Sequence, residues 1–242
     1  MPEILIYGLF FLIAFLYASV GHGGASGYLA LMALLGFSAA TMKPTALLLN
    51  VLVSLIAFVS FYRARHFRPQ LLWPLIAASI PFAYLGSVLP ISELLYKKIL
   101  GAVLLLSVIR LIMNSAEKPP VPGPKWYVLF LIGSFIGLLS GMIGMGGGIL
   151  LSPILLLMAW ANQKQTAAIC SLFIFLNSMA GIAGQFKKGF DLSPQIVMII
   201  FFVLAGGWLG AFLGAEKLRP NNMKYILATV LILAAGKLIF VK

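Results

Sequence analysis

The sequence predicts an all-α integral membrane protein of two inverted-topology repeats. Each repeat is a glycine-broken helix pair or re-entrant hairpin followed by three transmembrane helices. Three observations predict it. First, hydrophobic residues make up 62% of the 242 and charged residues only 9%, against roughly 45–50% and 25% in soluble domains. A soluble fold of this length cannot hide that much apolar surface. Second, uncharged runs cover 4–42, 44–62, 69–92, 99–109, 126–163, 165–186, 192–215 and 225–236. Third, the block Gly21-His22-Gly23-Gly24 returns as Gly144-Met145-Gly146-Gly147, 123 residues on.

The elements follow in order. A bilayer span takes about 20 residues. The run 4–42 is too long for one and breaks at its glycines into 4–20 and 25–36. The runs 44–62 and 69–92 are one helix each. The short run 99–109 becomes a span over 94–113 once the flanking Lys and Arg snorkel outward. Ala116–Lys125, AEKPPVPGPK, is a Pro-rich charged linker. The order then repeats: 126–163 breaks into 127–143 and 148–160, 165–186 and 192–215 are single helices, and 225–236 extends to 223–240. This divides the chain into repeat 1 (1–115), a cytoplasmic linker (116–125) and repeat 2 (126–242), within one membrane domain. Lys43-Pro44-Thr45-Ala46 matches Lys164-Gln165-Thr166-Ala167, and Tyr84-Leu85-Gly86-Ser87 matches Trp208-Leu209-Gly210-Ala211, at offsets of 121 and 124. The pieces 25–36 and 148–160 are short for spans. They are half-helices of re-entrant hairpins or short tilted spans. Either way each repeat crosses an odd number of times, so the second is inverted.

One side of the membrane collects Arg63, Arg65, Arg68, Arg110, Lys118, Lys125, Lys164, Lys217, Arg219 and Lys224. The other collects Lys43, Lys97, Lys98, Lys187, Lys188, Lys237 and Lys242. The bias puts the first set in the cytoplasm and both termini outside. The start MPEIL has no basic n-region, and 4–20 has a counterpart at 127–143, so it is expected to be a span and not a cleaved signal. The net charge of +12 is scattered between apolar runs, which argues against a nucleic-acid partner. The single cysteine, Cys170, allows neither an internal disulfide nor a Cys-based metal site. No cofactor motif is present, and oligomeric state is not legible.

All five acids, Glu3, Glu93, Glu117, Asp191 and Glu216, fall at predicted edges or loops. A cation carrier usually keeps an intramembrane carboxylate. The glycine clusters point to an anion instead. Each ends one apolar piece and opens the next, and a helix opening inside protein presents free N–H groups and its positive dipole end. The candidate binding residues are Gly21, His22, Gly23 and Gly24 in the first cluster, and Gly144, Gly146, Gly147 and Gly148 in the second. Thr45, Asn50, Thr166, Ser171 and Asn177 on the following helices complete the set, with Ser54, Ser178 and Gln185 nearby. Lys43 and Lys164 stand at matched positions to attract an anion or to anchor the interface. His22 is either a proton carrier and donor or a packed neutral side chain. Gly24-Ala25-Ser26-Gly27 reads as the GxSG serine motif of intramembrane rhomboid proteases. The only histidines are His22, close by, and His66 in a loop, so no base from another span activates Ser26.

The two segments SVGHGGASGYLALMALLGFSAATMKPTALLLN and SGMIGMGGGILLSPILLLMAWANQKQTAAICSLF resemble the TauE/SafE permeases, the sulfite exporter family. Its GxGGG-type motif, apolar stretch with Pro, polar turn and Thr/Ala-rich helix occur twice. The second copy fits with Gly144, Gly146, Gly147, Gly148 and Pro153; the first has Ala25 for the third consecutive Gly and Ala30 where Pro would fall. The resemblance implies a permease for sulfite, an organosulfonate or a related small anion in a prokaryotic inner membrane, alone or with H+ or Na+. An anion channel is the alternative, and a membrane-embedded enzyme is the third reading.

Overall fold

Glycine and polar caps set the helix ends. A computed structural model describes residues 3–112, 120–186, 194–216, 231–232 and 235–239. The expected span 223–240 falls mostly outside the described residues. So do linker residues 116–119, Lys187, Lys188, Asp191, Lys217, Arg219, Lys224 and Lys242. Every regular element among the described residues is a helix, in the order α1 (Glu3–Ala18), α2 (Ala25–Leu34), α3 (Ala39–Arg63), α4 (Pro69–Val88), α5 (Glu93–Ile112), α6 (Trp126–Ile143), α7 (Gly148–Leu157), α8 (Gln163–Phe186) and α9 (Pro194–Glu216). Five of these, α3, α4, α6, α8 and α9, are long and apolar enough to cross a membrane. The breaks fall where the glycines predict them, at 19–24 and 144–147.

Local chemistry explains the boundaries. Ser38 caps α3 by accepting the Thr41 N–H at 3.3 Å. Asn162 and Gln165 form a reciprocal box at the start of α8: Asn162 Oδ1 accepts Gln165 N–H at 2.9 Å, and Gln165 Oε1 accepts Asn162 N–H at 3.1 Å. Pro69 opens α4 at the one position where its missing N–H costs nothing. The half-helices α2 and α7 have 10 residues each. At 1.5 Å per residue that is about 15 Å, half the hydrocarbon thickness of about 30 Å.

Helix directions are fixed by close glycine contacts. Gly133, Gly137 and Gly141 of α6 press on the carbonyls of Leu75, Ser79 and Ala83 of α4, at a constant offset of 58, so these helices run parallel. Gly206, Gly210 and Gly214 of α9 press on Phe11, Phe15 and Ser19 of α1, at a constant offset of 195, again parallel. A side chain at any of these glycines would strike backbone, the small-residue packing that apolar solvent favours. α8 follows the direction of α4: Gly184 meets Ser87 at one end, and Leu72 and Ile169 share an apolar cluster at the other. α9 likewise follows α3, with Val53 against Gly207 and Phe61 clustered with Ala215. α3 and α8 cross the centre in opposite directions, with Leu47 against Gly181 and Asn50 bonded to Ser178. Two groups of three parallel helices result, α1–α9–α3 and α6–α4–α8.

The outer faces carry Trp73, Leu131, Phe135, Phe201 and Trp208, all exposed apolar side chains. In water this would be an aggregation surface; against lipid it is the expected exterior. Glu3, Glu93 and Glu216 are exposed at helix ends, so the described carboxylates leave the interior free of negative charge.

Candidate functional site

The two breaks meet inside the molecule. At the first, Gly21 (φ +75) and Gly24 (φ +94) take left-handed conformations that other residues avoid. Gly24 is the N-cap of α2. Gly21 lies directly on the backbone of Ala167, at the start of α8. At the second, Gly144 ends α6 at φ +80 and Gly147 caps α7 at φ +81. Gly144 lies against Lys43, near the start of α3. Each break is therefore seated on a long helix of the other half, the first on α8 and the second on α3.

Asn50 joins them. It is 1% exposed. Its Oδ1 accepts the Ala25 N–H at 3.1 Å, the first donor of α2. Its Nδ2 donates to the Met145 carbonyl at 3.1 Å, within the second break, and to Ser178 Oγ on α8 at 3.4 Å. Gly23 and Gly146 flank this amide: a Cβ on Gly23 would stand 2.9 Å from Asn50 Cγ, and one on Gly146 would stand 2.9 Å from Asn50 Nδ2. One buried side chain thus ties the start of α2, the second break and α8.

The other residues singled out from the sequence distribute as follows. Thr45 and Thr166 are buried, and neither hydroxyl has a hydrogen-bond partner among the described residues. Thr166 precedes Ala167 and so borders Gly21; Thr45 is two residues from Lys43, which borders Gly144. Ser171 Oγ bonds back to the Ala168 carbonyl at 3.0 Å. Asn177 Nδ2 donates to the Phe173 carbonyl at 2.8 Å, and its buried Oδ1 has no partner among the described residues. Gly148 packs on Ile174 and Cys170, whose thiol points at the Gly148 carbonyl, 3.7 Å away. Cys170 is a buried thiol within the apolar cluster of Ile169, Phe173 and Ile174. His22 is buried in the first break, with Nδ1 3.0 Å from the Val20 carbonyl. That carbonyl is an acceptor only, so the ring proton sits on Nδ1.

Lys43 and Lys164 play matched parts. Lys43 Nζ donates to the Ser87 carbonyl at 3.1 Å, in the last turn of α4, and Gln185 Nε2 donates to the same oxygen at 2.8 Å. Lys164 Nζ donates to the Ala215 carbonyl at 3.1 Å, in the last turn of α9. A cation at a helix C-terminus answers its partial negative charge.

Three polar side chains were not legible from sequence. Tyr17 hydroxyl and Ser26 Oγ share a hydrogen bond of 2.5 Å beside the first break. Tyr28 is wholly buried, stacks on Phe10 at 5.9 Å, and brings its hydroxyl to Gly24. In apolar runs these tyrosines read as core, and only the fold aims them at the break. The pairing of Ser26 with Tyr17 also occupies the serine of the protease-like motif. Among the described residues no group of three His, Cys, Asp or Glu could hold a metal ion.

A bundle of membrane-length helices enclosing two broken half-helices, with a polar centre and an apolar exterior, is the build of a membrane transport protein. Comparison with known proteins agrees: residues 6–238 match the family model "Sulfite exporter TauE/SafE". The chain belongs to the TauE/SafE family, whose members are membrane transporters, not enzymes. It is 34% identical over 236 residues to a probable membrane transporter protein of Sinorhizobium fredii, y4hK, covering 96% of each chain. It is 29% identical over 136 residues to YunE of Bacillus subtilis, also a probable membrane transporter protein, covering 55% of this chain and 48% of that one. No solved structure matches.

Proposed function

We propose that the protein is a secondary transporter for a small sulfur-containing anion such as sulfite or an organosulfonate. It works by alternating access between two inverted repeats, with substrate held between the glycine breaks. The observation that carries this reading is the convergence of the two half-helix breaks on Asn50. Half-helix N-termini in a low-dielectric interior attract anions, and no described carboxylate opposes them. The family name supplies the sulfur chemistry. The inverted duplication is supported by the helix directions. α3 opposes α8, each break rests on the other half's helix, and each matched lysine clasps the end of a matched helix.

In this reading Asn50 positions the two breaks, and Gly23 and Gly146 leave it room. Thr45, Thr166, Ser171, Asn177 and His22 line the path, and Lys43 and Lys164 hold its two ends. The location is a prokaryotic inner membrane with both termini outside. The substrate moves alone or with a proton or Na+ held by backbone carbonyls.

A proteoliposome screen of sulfite, thiosulfate, sulfoacetate, taurine and sulfate tests the reading. Saturable counterflow of at least one anion is expected. Rapid ohmic current without counterflow would make the protein an anion channel, and no flux of any anion would end the proposal. Cysteine labelling of both termini from the cytoplasmic side would reverse the orientation.

A further inference from the structure

The two breaks occupy matched places in the chain but carry different side chains. At the offset of 123, Tyr17, His22, Ser26 and Tyr28 correspond to Ser140, Met145, Ile149 and Leu151. The first break is polar. The Tyr28 ring is fully buried, and a Cβ on Gly24 would stand 2.6 Å from its hydroxyl oxygen. That hydroxyl has no hydrogen-bond partner among the described residues. It therefore lies beside the N-cap of α2, where the N–H groups of Ser26 and Gly27 precede the first intrahelical bond, Tyr28 N–H to the Gly24 carbonyl at 3.0 Å. The second break is polar at Gly144 and Gly146, which face Lys43, Ser178 and the Asn50 amide, and apolar where α7 opens. Gly147 is pressed by Ile136 and Phe173, and Gly148 by Ile174. The buried hydroxyls beside it are Ser178, whose Oγ accepts from Asn50 Nδ2 at 3.4 Å, and Ser140, whose Cβ is 3.4 Å from where a Cβ on Gly147 would be.

We infer that the substrate's oxyanion group is held at the first break alone, at the N-terminus of α2, with the Tyr28 hydroxyl donating to it, and that the α7 end of the second break, at Gly147 and Gly148, supplies an apolar wall. This rests on the transporter reading and narrows its site to one half. A buried hydroxyl without a partner is costly, and such groups are rare in native interiors. A ligand oxygen at the α2 terminus satisfies it. The donors there are neutral: backbone N–H groups, a phenol and a serine hydroxyl. Such donors suit an oxyanion that sheds its water and must be released again, because no fixed cation traps it. Sequence duplication alone suggests two equivalent anion sites, whereas the side chains assign one.

The test uses full-length protein, with sulfite binding measured by calorimetry and sulfite counterflow measured in proteoliposomes. Tyr28→Phe keeps the ring and its stacking on Phe10 and removes only the hydroxyl. It is expected to weaken sulfite binding about tenfold or more, while Ser140→Ala stays within about twofold, since a lost hydrogen bond to a charged group is worth roughly 1.5–3 kcal/mol. Unchanged binding in Tyr28→Phe, or an equal loss in Ser140→Ala, overturns the inference and leaves the transporter reading standing. Wild-type protein that neither binds nor moves any of the sulfur anions overturns the reading itself. If Tyr28→Phe does not fold, infrared difference spectra of the wild type carry the same test. Sulfite must shift a tyrosine C–O stretch, and no shift overturns the inference.

Discussion

The first and second breaks share a backbone plan and differ in what surrounds it. Both turn on left-handed glycines, both open a 10-residue helix, and both rest on a helix from the other half. Around the first stand Tyr17, His22, Ser26 and Tyr28; around the second stand Ile136 and Phe173 where α7 opens, with Ser178 and Lys43 nearer its start, and Ile174 lies between the two. The backbone plan sets where the chain can unwind inside a membrane. The side chains decide what each opening can hold. Asn50 belongs to neither break alone, because its carbonyl serves the first and its amide the second.

The largest effects are expected from filling the breaks. Gly23→Val places methyl groups into the Asn50 amide, and Gly147→Val adds a strained φ of +81 to a clash with Ile136 and Phe173. Both variants are expected to lose sulfite transport. Gly23 has no left-handed φ, so its loss is steric, and a single Cβ there already strikes the Asn50 amide. Gly23→Ala should therefore lose more transport than Gly147→Ala, whose Cβ meets only the ends of the Ile136 and Phe173 side chains. Equal residual activity in the two alanine variants would break the comparison. Next comes Asn50→Leu, which fills the space but leaves the Ala25 N–H and Met145 carbonyl unpaired, at about 1–3 kcal/mol for each buried group. A lower melting temperature together with lost transport is expected. If Asn50→Leu melts normally, the amide does not tie the breaks.

Much of this plan is legible in the sequence, and the boundary of legibility has a physical cause. Glycine clusters inside over-long apolar runs locate both breaks to within a residue or two, because few other residues take positive φ. The spans α3, α4, α8 and α9 follow from the spacing of charges. Tertiary pairing does not. Asn50 reaches Met145 across 95 positions, and the lysines find the ends of α4 and α9 only after those helices pack. Tyr28 sits in an apolar run and reads as core, since nothing local announces that its hydroxyl faces Gly24.

The lysine clasps sharpen the same contrast at smaller amplitude. Lys43 is 7% exposed and shares the Ser87 carbonyl with Gln185. Lys164 is exposed at the opposite end. A charge at a partly buried helix C-terminus is worth up to about 2 kcal/mol, and an exposed one less. Lys43→Met is therefore expected to lower the melting temperature more than Lys164→Met, by thermal denaturation in one detergent. The reverse order would mean that the half containing Lys164 is the tighter one.

The smallest effect separates the two clasps electrostatically. His66, in the loop between α3 and α4, titrates below its ordinary value of 6.5, first because of partial burial and second because of the positive charge of Lys164. The unfolded chain therefore takes up this proton before the folded one does. The folded state keeps its full stability above the unfolded value and loses a little as pH falls through 6.5 toward the lowered value. Most of the ring meets solvent, so screening keeps the loss small. Lys164→Met is expected to move the His66 titration upward without bringing it to 6.5, since burial remains, and Lys43→Met should leave it where it is. Histidine NMR, with His66→Gln for assignment, measures both. An upward shift in Lys43→Met would mean that the two clasps share one electrostatic environment. That would remove the separation of the two ends on which the proposed alternating access depends.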